Sequence, residues 1–185
     1  MTFSTFAKYL AQLDTISSRL EITAILAQLY GELSSEERRL GSYLLLGGLV
    51  PEYESMEFQL STKMIVRALA RLRVEGDPSQ SSSAVQVNLF GEEDGASDQK
   101  WVETQFHTLG DLGLVAQEVV GEVRAGESIR TITSVYDALV EIAQTTGSGS
   151  QDQKLQLLVK LLQTLDGTSA KFVVRIILDK LRLGF

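Results

Sequence analysis

The segment Thr145 to Lys154, TTGSGSQDQK, interleaves Gly147 and Gly149 with the hydroxyl residues Ser148 and Ser150 and follows them with Gln151 and Lys154. Glycines let a backbone turn come close to a bulky partner, and serines add small hydrogen-bonding groups. A helix starting near Ser150 aims its unsatisfied amides and positive dipole end back at that turn, with Lys154 one turn in. The chemistry this suggests is phosphate binding, although an ordinary capped helix start has the same letters. The tail, KFVVRIILDKLRLGF, is a second candidate: Lys171, Arg175, Lys180 and Arg182 stand among apolar residues, and Gly184 lets the chain turn. A helix dipole accounts for a terminal cation such as Lys180, whereas Arg175 interrupts an apolar run, where a guanidinium needs a partner. With the apolar Leu181 and Leu183 between them, these cations fit the wide, shallow minor groove of a non-B duplex.

Catalysis by these residues finds little footing. The chain has no cysteine and one histidine, His107, which excludes thiolate nucleophiles, sulfur-based zinc clusters and multi-histidine metal sites. Neither a Walker loop nor a GxSxG elbow, an HExxH pair or a calcium-loop pattern occurs. A nucleotidyl-lysine site needs Lys-x-Asp-Gly, and no lysine has that setting, because Asp166-Gly167 follows Thr164-Leu165. Glu36-Glu37 and Glu92-Glu93-Asp94 read as solvated surface, since no apolar surroundings shift their pKa values.

Seventeen bases against 24 acids give a net charge of −7, which by itself disfavours a polyanionic partner. The distribution matters more. Glu92 to Glu122 holds eight acids and one base, which leaves the remaining chain balanced at 16 of each. Lys63, Arg67, Arg71 and Arg73 stand together with no acid between them, and the tail cations face only Asp179. A basic surface is therefore compatible with an acidic total.

Stepping from these residues to the elements that must hold them, two prolines and long runs with apolar residues three and four apart predict an all-α protein. Helices are expected over 3–14, 18–31, 35–46, 57–74, 98–106, 111–124, 131–145, 150–164 and 168–179, with Ser18 and Ser150 as caps. Residues 76–97, rich in Ser, Gly and acid, read as a flexible connection in which VQVNLF is a strand or a docked segment. FVVRIIL, residues 172–178, suits a buried strand or a buried helix.

An internal comparison favours the helix. A shift of 132 positions lays Ser18 on Ser150, Ile25-Leu26 on Leu157-Leu158, Leu29 on Leu161, and LLLGGLVP (Leu44 to Pro51) on IILDKLRL (Ile176 to Leu183). This implies two halves related by a pseudo-twofold within a single domain, about 1–75 and 98–185. The equivalent turns Ser17-Ser18-Arg19 and Gly47-Gly48-Leu49-Val50 would then join the two second-half turns on one surface. Four phosphate-seeking turns related by a twofold match a duplex, whose strands are themselves so related. The first copy continues through PEYESMEFQLSTKMIVRALARL, whereas the second stops at Phe185, so a longer parent protein is expected.

At these residues the sequence resembles the N-terminal DNA-binding domain of archaeal and eukaryotic-type ATP-dependent DNA ligases. The resemblance is carried by Gly147-Ser148-Gly149-Ser150-Gln151, by Ala170-Lys171 and Arg175, and by Asp179-Lys180-Leu181-Arg182-Leu183-Gly184. GDLGLVAQEV, SSRLEITAILAQLY and YLLLGGLVPEY are similar to further motifs of that family. One departure is Asp179, where the family commonly has glycine, which sets a carboxylate beside the expected phosphate contacts. The resemblance implies an all-helical module that grips nicked double-stranded DNA without reading sequence, in replication, repair and recombination. Ser18, Arg19, Gly47, Gly48, Gly147, Ser148, Gly149, Ser150, Gln151, Lys154, Lys171, Arg175, Lys180, Leu181, Arg182 and Gly184 are the expected contacts. It also implies that ATP and Mg2+ belong to absent nucleotidyltransferase and OB domains, and that no cofactor belongs to this chain. No apolar run approaches the ~18 residues that span a bilayer, so a cytoplasmic location is expected, nucleoid-associated in a prokaryote; the chain is also expected to be a monomer. The alternative is an acidic helical scaffold whose Gly and Arg turns contact another protein.

Overall fold

The structure, a computed structural model, describes residues 1–51, 53–76, 94–123, 126, 128–181 and 183. Among the described residues it is all-α, with nine helices: α1 (Phe3–Thr15), α2 (Arg19–Glu32), α3 (Ser35–Leu45), α4 (Thr62–Gly76), α5 (Asp94–Leu109), α6 (Leu112–Val123), α7 (Ile132–Gln144), α8 (Ser150–Leu162) and α9 (Gly167–Ile177). None is long and apolar enough to cross a membrane. Side-chain caps fix several of the starts. Thr2, Thr131 and Asp166 accept the amides of Thr5, Ser134 and Ser169, and Ser34 with Glu37 forms a reciprocal capping box.

Three expectations are corrected. The helix expected from residue 57 starts at Thr62, because residues 56–61 form an irregular strap in which Gln59 takes a left-handed φ of 52°. In that strap Phe58 and Leu60 are buried, an alternation that suits extended chain and satisfies the hydrophobic pattern without a helix. The helix expected from residue 98 starts at Asp94, so only residues 77–93 of the predicted connection, VQVNLF included, lie outside the described residues. Gly149, at φ 78°, rather than Ser150, caps α8, and Ser18 occupies its cap position without a side-chain cap bond. FVVRIIL is helical, within α9 and its C-cap.

The duplication is visible in the backbone. Thr2 and Thr131 form an antiparallel bridge in which Phe3 donates to the Arg130 carbonyl at 2.7 Å and Ile132 donates to the Met1 carbonyl at 3.3 Å. Each bond is the other's image in an exchange of the two halves. The packing follows the same exchange: α1 lies on α9, α7 lies on α3, and each first helix also packs on the second helix of its own half. The offset is not constant, however. Caps pair at 129 between α1 and α7 (Thr2 with Thr131) and at 132 between α3 and α9 (Ser34 with Asp166), so a gapless 132-residue register holds only for the third helix and its turn.

One contiguous core runs through both halves, from Phe3, Phe6 and Leu10 through Leu69 to Phe172 and Ile176. Helices α4, α5 and α6 complete it, with α6 lying along α9. Two glycines permit that closeness. A Cβ on Gly113 would stand 2.9 Å from the Lys171 carbonyl oxygen, and one on Gly167 would stand 2.7 Å from that of Gln117. Both distances are below any tolerated contact, so the α6–α9 spacing depends on the missing side chains.

Candidate nucleic-acid interface

Helices α3 and α9 end in the same way, 132 residues apart. Beyond each C-cap, Leu46 and Leu178, the chain turns through a left-handed residue, Gly47 at φ 77° and Asp179 at φ 52°. Gly47 and Asp179 donate to the Leu44 and Ile176 carbonyls, both at 3.1 Å. Gly48 donates to Tyr43 at 3.0 Å, and Lys180 donates to Arg175 at 2.8 Å. Both are Schellman motifs, and the leucine after each, Leu49 and Leu181, is buried as an anchor. The Tyr136 hydroxyl on α7 also donates to the Leu49 carbonyl, which pins the first turn to the opposite half.

The two turns meet. Asp179 Oδ1 lies 3.5 Å from where a Cβ on Gly47 would stand. Together they wall an open groove of about 800 Å³, whose far side is the 56–61 strap and Thr62 at the start of α4. Lys180 stands exposed on this groove without an ion-pair partner among the described residues, and Asp179 is likewise exposed.

The other sequence-predicted residues divide into two groups. Ser18 and Arg19 are exposed at the start of α2, and Gly147, Ser148, Gly149 and Gln151 are exposed at the start of α8, but none of them lines the groove. Gly147 adopts φ 96°, and the α8 entry is a tight turn, with Ser150 donating to the Gly147 carbonyl at 3.2 Å. Asp152 sits in the first turn of α8 and already meets part of its dipole. Of the four turns expected on one surface, two share this groove and the other two do not line it.

The second group is buried or, for Lys171, half-buried in an ion pair, which corrects its expected role. Lys154 is 2% exposed and donates from Nζ to the Phe58 carbonyl at 2.6 Å, and burial lowers its pKa. Its amine faces the strap, not solvent. Arg175 is 5% exposed. It donates to Asp111 from Nε at 3.0 Å and Nη2 at 2.6 Å, and to Asp14 from Nη1 at 2.8 Å. The partner that an arginine in an apolar run needs is thus a carboxylate pair from α1 and the start of α6, not a phosphate. Lys171 donates to Asp14 at 2.7 Å and is held in the same network. Burial would raise the Asp14 pKa, but hydrogen bonds from Lys171 and Arg175 outweigh it and hold the carboxyl below its ordinary value. Leu181 is core, so it offers no apolar contact to a duplex. Arg182 and Gly184 lie outside the described residues.

The basic cluster on α4 also divides. Arg73 stacks 3.8 Å from the Trp101 ring and pairs with Asp98 and Glu122, while Arg71 pairs with Glu75. Lys63 and Arg67 stay exposed.

These features belong to a chain whose residues 2–185 match the family described as DNA ligase N terminus. Over its whole length the chain is 32% identical to a probable DNA ligase of Dictyoglomus turgidum and 30% identical to a DNA ligase of Saccharolobus solfataricus, covering 27% and 29% of those proteins. Over 99% of its length it is 30% identical to DNA ligase 1 of Methanosarcina acetivorans, covering 27% of it. The chain thus spans less than a third of the relatives it matches. With all nine helices inside the matched range, the chain belongs to the DNA ligase N terminus family.

Proposed function

We propose that the chain binds nicked double-stranded DNA through the sugar–phosphate backbone and minor groove, without sequence preference, as the DNA-binding part of an ATP-dependent DNA ligase. The observation that carries this reading is the pair of Schellman turns sharing one groove, with Lys180 exposed beside them and without an ion-pair partner among the described residues. The exposed turn at Gly147 to Gln151 and the residues Ser18 and Arg19 are secondary contacts in this reading, and Arg182 and Gly184 join on the strength of the resemblance alone. ATP and magnesium are assigned to the remainder of a longer protein. The residues present do not fit either group: no lysine stands in a Lys-x-Asp-Gly setting, and no cluster of three or more His, Asp or Glu gathers among the described residues. No chemical step is assigned to this chain.

Fluorescence anisotropy on a nicked duplex across a salt series tests the reading. Contacts to roughly four to eight phosphates predict log K falling with log salt at about −0.9 per phosphate. The double change Lys180→Glu, Arg182→Glu should abolish binding with helicity unchanged. Undetectable binding at low salt, or binding indifferent to salt, would return the chain to the acidic protein-contacting scaffold.

A further inference from the structure

We propose that Lys63 and Arg67 on α4 extend the interface beyond the groove, holding backbone phosphates on the flank of the bound duplex; this rests on the DNA-binding reading above and deepens it. Helix α4 opens at the groove, because Thr62 lines it together with Gly47, Gly48 and Lys180. From there its exposed residues recur every fourth position, Lys63, Arg67, Arg71 and Glu75, while Ile65, Val66, Ala68, Leu69 and Leu72 face the core. Successive members of that stripe rise about 6 Å along the helix.

The stripe is graded. Its far end is neutralised by the Arg71–Glu75 pair at 3.1 Å, whereas Lys63 and Arg67, nearest the groove, have no ion-pair partner among the described residues. The first turn of α4 contains no acid and carries Lys63 instead. A cation there opposes the helix dipole; the first turns of α2, α3 and α8 carry acids, and those of α1, α6, α7 and α9 carry none. In a chain of net charge −7, residues 62–73 hold four cations and no acid. Two exposed cations at a positive helix end, without ion-pair partners among the described residues and continuous with the groove, fit an external polyanion. That continuity favours the strand that occupies the groove over a separate acidic protein.

The test compares Lys63→Gln/Arg67→Gln with Lys180→Gln in the whole chain, by anisotropy on a nicked duplex over a salt series, with polyglutamate as a second probe. Both sites of the double change are solvent-facing, so helicity should not move. Loss of two phosphate contacts should flatten the salt slope by about 1.8. If Lys180→Gln weakens binding while the double variant keeps the parent slope and affinity, the stripe is refuted and the groove stands. Polyglutamate binding that weakens while duplex binding does not also overturns it, in favour of a protein partner. If the unmodified chain fails to bind duplex at low salt, the underlying reading falls and the stripe falls with it.

Discussion

Arg175 and Lys154 carry charge into places where water cannot follow, and each is tolerated for a different reason. The Arg175 guanidinium is matched by Asp111 and Asp14, so its removal takes one counterion from each carboxylate at the junction of α1, α6 and α9, while Asp14 keeps Lys171. Breaking a buried pair from one side typically costs about 3–5 kcal/mol, and Arg175→Met should lower the urea midpoint accordingly. A loss below about 1 kcal/mol would show that the pair is not buried as described. Lys154→Met makes a sharper distinction. A phosphate ligand would take about 0.9 off the salt slope when removed, whereas an amine serving the Phe58 carbonyl should leave the slope intact and cost about 1–3 kcal/mol of stability. Acid acts on the same network. Asp14 and Asp166 both have folded pKa values below their ordinary ones. At Asp166, burial pulls upward and hydrogen bonds from Ser169 and others prevail. Their contribution is present above pH about 4, the unfolded carboxyl range, and disappears as pH falls through the folded values. The melting temperature of Asp14→Asn should therefore depend less on pH below 4 than that of the parent; equal slopes would mean that Asp14 carries no such linkage.

At the scale of elements, the turns show how far letters alone reach. The 132-residue alignment of LLLGGLVP with IILDKLRL is legible because a Schellman turn constrains local backbone, and local constraints leave local patterns. The start of α4 is not legible. MEFQLS reads as a helix start or as a strand alternation, and a contact the letters do not show, Lys154 from 96 residues away, meets the Phe58 carbonyl there. The partners of Arg175 are hidden for the same reason: the need for a counterion can be read from the run, but its identity is set by packing across 64 residues to Asp111 and 161 to Asp14. Asp179 is legible as a departure from the resemblance, and its geometry now gives it a consequence. An L-residue at φ 52° is strained by about 1–2 kcal/mol relative to glycine, and its carboxylate stands between the two turns. Asp179→Gly should raise both the melting temperature and the affinity for duplex DNA. A variant that is more stable but binds no better would show that the carboxylate does not face the bound strand. Gly113→Ala is the opposite case: its Cβ meets backbone that has no room to yield, and about 1–3 kcal/mol should be lost.

At the scale of the whole molecule, the two halves are interlocked rather than merely adjacent. The first helix of each half packs on the third helix of the other, the Thr2–Thr131 bridge ties their starts, and α4 reaches across to α8. The apolar faces of α1 and α7 therefore take part of their cover from the partner half. In this arrangement the turns that end α3 and α9 share one groove. The same arrangement predicts how the chain behaves when divided. Fragments 1–76 and 94–185 should each lack a cooperative thermal transition alone, since each would expose the core faces that the other covers. Mixed, they should recover helicity, migrate as one species and regain binding to a nicked duplex. Circular dichroism and size-exclusion chromatography of the separate and combined fragments check this. A fragment that melts cooperatively by itself would mean that each half owns a sufficient core, and the shared groove would then be a product of docking rather than of folding.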